Sequence, residues 1–142
     1  MAFYTSGMPL KAQPKMNTKT AATIIGGIYL LQAIGIFFGA GDITSMAFPG
    51  VTENDTALNV GTLMHQALAG MAFGTAVIML FVRQIKVGSA PIFRGFAIGS
   101  LGIVGVACFH WATQPVEPPL PLLVTMAGLA IYAWLVAARQ SA

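Results

Sequence analysis

Two histidines, His65 and His110, are the only imidazoles in the 142-residue chain, and each stands inside a long apolar run. The one cysteine, Cys108, is two residues before His110 and has no second thiol to pair with. Imidazole is the side chain that holds haem iron, zinc and copper, so two of them at membrane depth define the candidate site. His65 precedes Val82 by seventeen residues and His110 follows Ile92 by eighteen, with the short connection 83–91 between. If both segments are helices, that connection makes them antiparallel neighbours. At ~1.5 Å of rise per residue the two rings then lie within a few ångströms of one depth.

A helix turns ~100° per residue, which sets the company each ring keeps. His65 shares its face with Gly61, Ala69, Ala72 and Ala76, a small-residue stripe suited to facing protein. His110 shares its face with Gly99, Ile103 and Val106, and Cys108 points nearly the opposite way, a poor co-ligand. The functional reading makes His65 and His110 cofactor-binding residues in one of three ways. They are paired axial ligands of a haem, separate ligands of two chlorophylls, or part of a transition-metal site completed by an acid such as Asp42. The plainer reading is structural: each ring hydrogen-bonds a neighbouring helix or rests at headgroup level. Among the other intramembrane polar residues (Thr23, Gln32, Gln66, Ser100 and Thr125), Gln32 is deepest and needs a partner helix or a ligand oxygen.

Catalytic signatures are absent. The sequence has no nucleophile elbow, no His-Glu-x-x-His pair, no phosphate loop and no pair of acids within a span, and so leans away from an enzyme. It also has no basic run interleaved with aromatics, which excludes a nucleic-acid partner.

The elements that position the histidines follow from composition. The chain is 56% hydrophobic and 8% charged, with a mean hydropathy of +0.78. A soluble domain needs about a quarter charged residues, so this surface requires a lipid bilayer. About 20 apolar residues cross ~30 Å of hydrocarbon as a helix. Four segments qualify: roughly residues 21–40, 60–82, 95–112 and 120–138, none with a charged residue. None alternates with period two, which argues against barrel strands. The expected fold is an all-α integral membrane protein with four transmembrane helices in an up-down bundle. Residues 1–20 form a polar tail and residues 21–139 a single transmembrane domain.

Orientation follows from the charges. Lys11, Lys15, Lys19, Arg83, Lys86, Arg94 and Arg139 all fall on one side of the spans, and Asp42, Glu53, Asp55 and Glu117 on the other. Lys and Arg accumulate in cytoplasmic loops, so both termini are expected on the cytoplasmic, stromal or matrix side. A cleaved signal peptide over residues 1–41 is the rival reading. Its apolar run of about twenty residues exceeds the ~7–15 of a signal sequence, which favours a retained helix.

The tail, with Pro9, Pro14 and three lysines, cannot bury enough apolar surface to order itself alone, so a partner subunit is its natural support. The first outer connection, residues 41–59, reads as a long loop in which Asn54-Asp55-Thr56 fits a glycosylation acceptor. The second, residues 114–121, is a stiff proline-rich segment, with Pro121 in the first turn of the last helix. Both lie on the same face and together suit a cap or a docking surface. Trp111 and Trp134 sit near span ends, as interfacial anchors do. Sixteen glycines include Gly35-x3-Gly39, Gly70-x3-Gly74 and Gly95-x3-Gly99, patterns that let helix backbones approach closely.

The leading expectation is therefore an accessory subunit of a larger membrane complex, respiratory or photosynthetic, in a bacterial inner membrane or an organellar membrane such as the thylakoid. Its partners would be other membrane subunits. The alternatives are a small redox protein binding haem, chlorophyll or a metal through the two histidines, and a small transporter or channel.

Overall fold

The computed structural model describes residues 17–85, 88–114 and 116–140, all helical or in short connections. Four long apolar helices, each able to cross a bilayer, make this a multi-pass membrane protein. They are α1 (Thr18–Phe38), α3 (Asp55–Val82), α4 (Ala90–Thr113) and α5 (Leu120–Gln140), with a short α2 (Ala40–Ala47) after α1. Residues 1–16, most of the expected tail, lie outside the described residues; residues 18–20 belong to α1.

Helix ends are set by local chemistry rather than by where the apolar run stops. The Asn17 side chain accepts the Lys19 N–H at 3.0 Å and starts α1 ahead of the apolar segment. Asn54, the candidate glycosylation acceptor, caps α3 in the same way by accepting the Ala57 N–H at 3.0 Å. That cap adds five residues to the expected span, and 28 residues extend ~42 Å, so the first turns of α3 reach past the hydrocarbon. Pro91 and Pro121 occupy first turns, where a missing N–H leaves no bond unmade.

The first outer connection is more structured than its sequence suggested. Ala40–Ala47 forms α2, Gly50 turns the chain with φ +81°, and Val51–Glu53 makes one 3-10 turn. The two outer connections also touch: the Glu117 N–H donates to the Ala47 carbonyl at 3.0 Å.

The helices pair as α1 with α3 and α4 with α5, and the two pairs meet along α1 and α5. The α1–α3 register is visible at Gly26, where an added Cβ would lie 2.9 Å from Leu80 Cγ and 3.1 Å from the Ala76 carbonyl. Only glycine allows that approach. The core gathers in the half of the bundle that carries Lys19, Arg83 and Arg139, the basic end. Ile25, Tyr29, Met79, Phe93, Leu129 and Val136 are buried there, with the small residues Ala21, Ala22, Ala76, Ala97, Ala130, Ala133 and Ala137 between them. In lipid such contacts hold helices by close packing and not by exclusion of water.

The expected side-by-side packing of the spans that carry His65 and His110 is not what the fold adopts. α3 and α4 do not pack along their lengths, and a groove of about 290 Å³ runs between them. The connection joins them only at the basic end, where Val82 and Phe93 enter the shared core. Gly88, with φ +81°, turns the chain there, and Ser89 donates to Gln140 Oε1 at 3.0 Å. That bond ties the start of α4 to the end of α5 and leaves α3 to α1. A short connection fixes where two helices begin to diverge, not how far they run together.

Candidate functional site

His65 is held by two elements. Gly61, one turn before it on α3, has no side chain, and Thr44 of α2 packs into the gap; a Cβ at Gly61 would overlap Thr44 Cγ2. Thr44 is fully buried. Its hydroxyl donates back to the Ala40 carbonyl at 2.8 Å, a bond that uses its single proton. His65 Nδ1 lies 2.9 Å from the Gly61 carbonyl and 2.9 Å from Thr44 Oγ1. The carbonyl can only accept, and the committed hydroxyl can only accept from this side. In the neutral imidazole Nδ1 therefore carries the proton, and Nε2 presents a lone pair. Anchoring Nδ1–H on a backbone carbonyl is also how proteins orient a histidine that offers Nε2 to a ligand.

The half-buried ring lines a cavity of about 260 Å³ between the two helix pairs. Tyr29, Gln32 and Ile36 of α1, Ile43 of α2, and Leu68, Met71, Ala72 and Thr75 of α3 form one side. Ile103 of α4, Pro119, and Leu122, Leu123 and Met126 of α5 form the other. The polar groups on this wall differ in what they have left to offer. Tyr29 and Ser100 hydrogen-bond each other across α1 and α4 at 3.1 Å, with the Tyr29 ring edge-on to Phe96. Thr75 donates to the Met71 carbonyl. The Gln32 amide has no hydrogen-bond partner among the described residues, and neither has His65 Nε2. Towards the basic end, buried Ala22, Ile25, Met79, Val82, Phe93 and Val136 close the bundle.

His110 is placed elsewhere. It is exposed, stacks edge-on with its neighbour Phe109 at 5.7 Å, and does not line the cavity at His65. It sits on the second half of α4, residues 101–113, none of which is buried. Cys108 is exposed on the same half. Gln66 is half-buried beside His65 but does not line the cavity. No group of three or more His, Cys, Asp or Glu able to hold a metal occurs among the described residues, so Asp42 does not complete one. A larger hollow of about 800 Å³ at the basic end, lined in part by Asn17, Lys19 and Arg83, lies apart from both histidines.

The volume of the cavity bounds what can lie wholly inside it. An apolar cavity of ~150 Å³ holds one benzene, so about 260 Å³ takes a molecule of one or two rings and not a porphyrin macrocycle. Sequence reading found Gln32 and His65 but missed Thr44 and Tyr29. Thr44 belonged to a segment read as loop; tyrosine within an apolar run reads as ordinary packing.

No protein-family model matches this chain, and no curated protein and no solved structure matches it.

Proposed function

We propose that the chain is an accessory subunit of a larger membrane assembly, with both termini on the cytoplasmic, stromal or matrix side. The observation that carries this reading is the uncovered half of α4. Gly102 and Gly105 have open space where a side chain would stand, and so have Gly70 and Gly74 on α3. Internal packing uses Gly26 and Gly61 instead. Lipid chains need no glycine to lie against, whereas a second helix does, because small residues let backbones approach. A respiratory or photosynthetic complex in a bacterial inner or organellar membrane is the setting that suits such a subunit. Purified in mild detergent, the native protein should run with partner chains well above its own 14.8 kDa. Gly102→Leu with Gly105→Leu should release it while leaving the four helices inserted. A native protein that runs as a lone chain refutes the reading.

A second reading, a small redox or pigment protein, draws support from the anchored ring of His65. His110 would then serve a separate group at a subunit boundary, since none of the described residues covers it. His65→Ala and His110→Ala should each remove a different absorbance band from the native assembly; an assembly without visible absorbance sinks this reading. The transporter reading has less to recommend it, because the buried side chains of the basic half interrupt any polar path through the bundle.

A further inference from the structure

Whichever assembly the chain joins, Gln32 and His65 leave a chemical requirement in the middle of the bundle. We propose that the cavity between the helix pairs binds a membrane-soluble quinol, a one-ring aromatic diol, with His65 Nε2 and the Gln32 amide as its hydrogen-bond anchors.

Size comes first. About 260 Å³ holds one substituted ring or a fused pair. Polarity comes second. A polar group in hydrocarbon without a partner costs several kcal/mol, and both anchors here lack one among the described residues. Their unmet capacities differ. Nε2 can only accept, so the ligand must bring a hydroxyl to that end. The Gln32 amide both donates and accepts, and suits a second oxygen of either kind.

Spacing points to oxygens at opposite ends of one molecule. Gly26 sits level with the stretch between Ala76 and Leu80. In an antiparallel pair that puts Gln32 level with Ala72, and His65 seven residues, ~10 Å, nearer the acidic end. A ring with oxygens at both ends bridges two such anchors. A fatty acid would not, because it carries a single charged end and no Lys or Arg among the described residues lines the cavity.

The remaining wall fits an aromatic ring. Leu68, Met71 and Met126 supply flat apolar contact, and thioether sulfur packs well at ring edges. The cavity also has a neighbour on its α4 side. Tyr29, Thr75 and Ile103 line both it and the groove between α3 and α4, where Gly95 and Gly99 leave room for a hydrocarbon tail to pass out to lipid.

The test uses the full chain in detergent, with duroquinol kept reduced under argon and its dimethyl ether as the matched non-donor. Equilibrium dialysis should give saturable binding of one duroquinol per chain. The ether, which cannot donate to Nε2, should bind roughly tenfold more weakly or worse. His65→Leu and Gln32→Leu should each weaken duroquinol about as much, and Ala72→Phe, which fills the cavity, should abolish binding. His110→Leu should change nothing. Equal affinity of wild-type protein for quinol and ether, or no saturable binding of either, overturns the proposal, and both results are independent of how any variant folds. The native mass of the assembly is a separate measurement, so failure here leaves the subunit reading standing on its own test.

Discussion

Gly61→Ala isolates the contact that builds the His65 site. The new methyl would overlap Thr44 Cγ2, while Thr44 Oγ1 at 3.3 Å and Cβ at 3.5 Å stand just outside it. Forcing a methyl into a filled site costs about 1–3 kcal/mol. Displacing α2 also weakens the bond from Nδ1 to Thr44 Oγ1, about 1 kcal/mol more. Against this, alanine is the better helix former by ~0.5–1 kcal/mol. The net expectation is destabilisation by about 1–3 kcal/mol, from the overlap and bond terms less the helix gain. Thr44→Ser removes the obstructing Cγ2 and keeps the hydroxyl, at about 0.8 kcal/mol for one buried methyl group. On that background Gly61→Ala should cost little, giving a coupling of about 1–2 kcal/mol between the two positions. Reversible unfolding in mixed detergent, followed by circular dichroism, supplies the four free energies. Nitrogen NMR of labelled histidine should show the Nδ1–H tautomer in all four proteins, because the backbone carbonyl at position 61 accepts that proton in each. Gly70→Ala is the control, because nothing lies within 4 Å of its added methyl. If Gly61→Ala costs as much in the Thr44→Ser background as in the wild type, or matches Gly70→Ala, the account of this site is wrong.

Two further outcomes test other parts of the fold. Tyr29→Phe keeps the edge-on contact with Phe96 but leaves buried Ser100 without its partner, so stability should fall by about 1 kcal/mol, and Tyr29→Phe with Ser100→Ala should recover most of it. For orientation, single cysteines at Glu53 or Glu117, with Cys108→Ser to silence the native thiol, should react with an impermeant reagent in intact cells, and one at Gln140 should not; labelling at Gln140 reverses the topology.

The four helices and the charge separation between their ends were already legible in the order of residues. Lipid offers the backbone no hydrogen bonds, so a run such as residues 120–138 must satisfy its own and has only the helix to do it with. The chemistry of single residues was legible for a similar reason. Gln32 and His65 announce unmet polar capacity wherever they sit in hydrocarbon. Helix ends were less so, since Asn54 extended α3 through a cap rather than through hydrophobicity.

Pairing was settled only in three dimensions. Glycine spacing named the surfaces able to pack closely, yet Gly70, Gly74, Gly95 and Gly99 meet nothing among the described residues, while Gly26 and Gly61 carry the contacts. With apolar residues on every face and lipid as apolar as leucine, periodicity cannot say which side of a helix meets another. His65 and His110 were therefore placed at one depth by counting residues, but which of them enters a cavity depended on α3 choosing α1 and on Thr44 closing against Gly61. That choice is made by shape complementarity between surfaces far apart in the chain, and shape is a property that only the assembled helices possess.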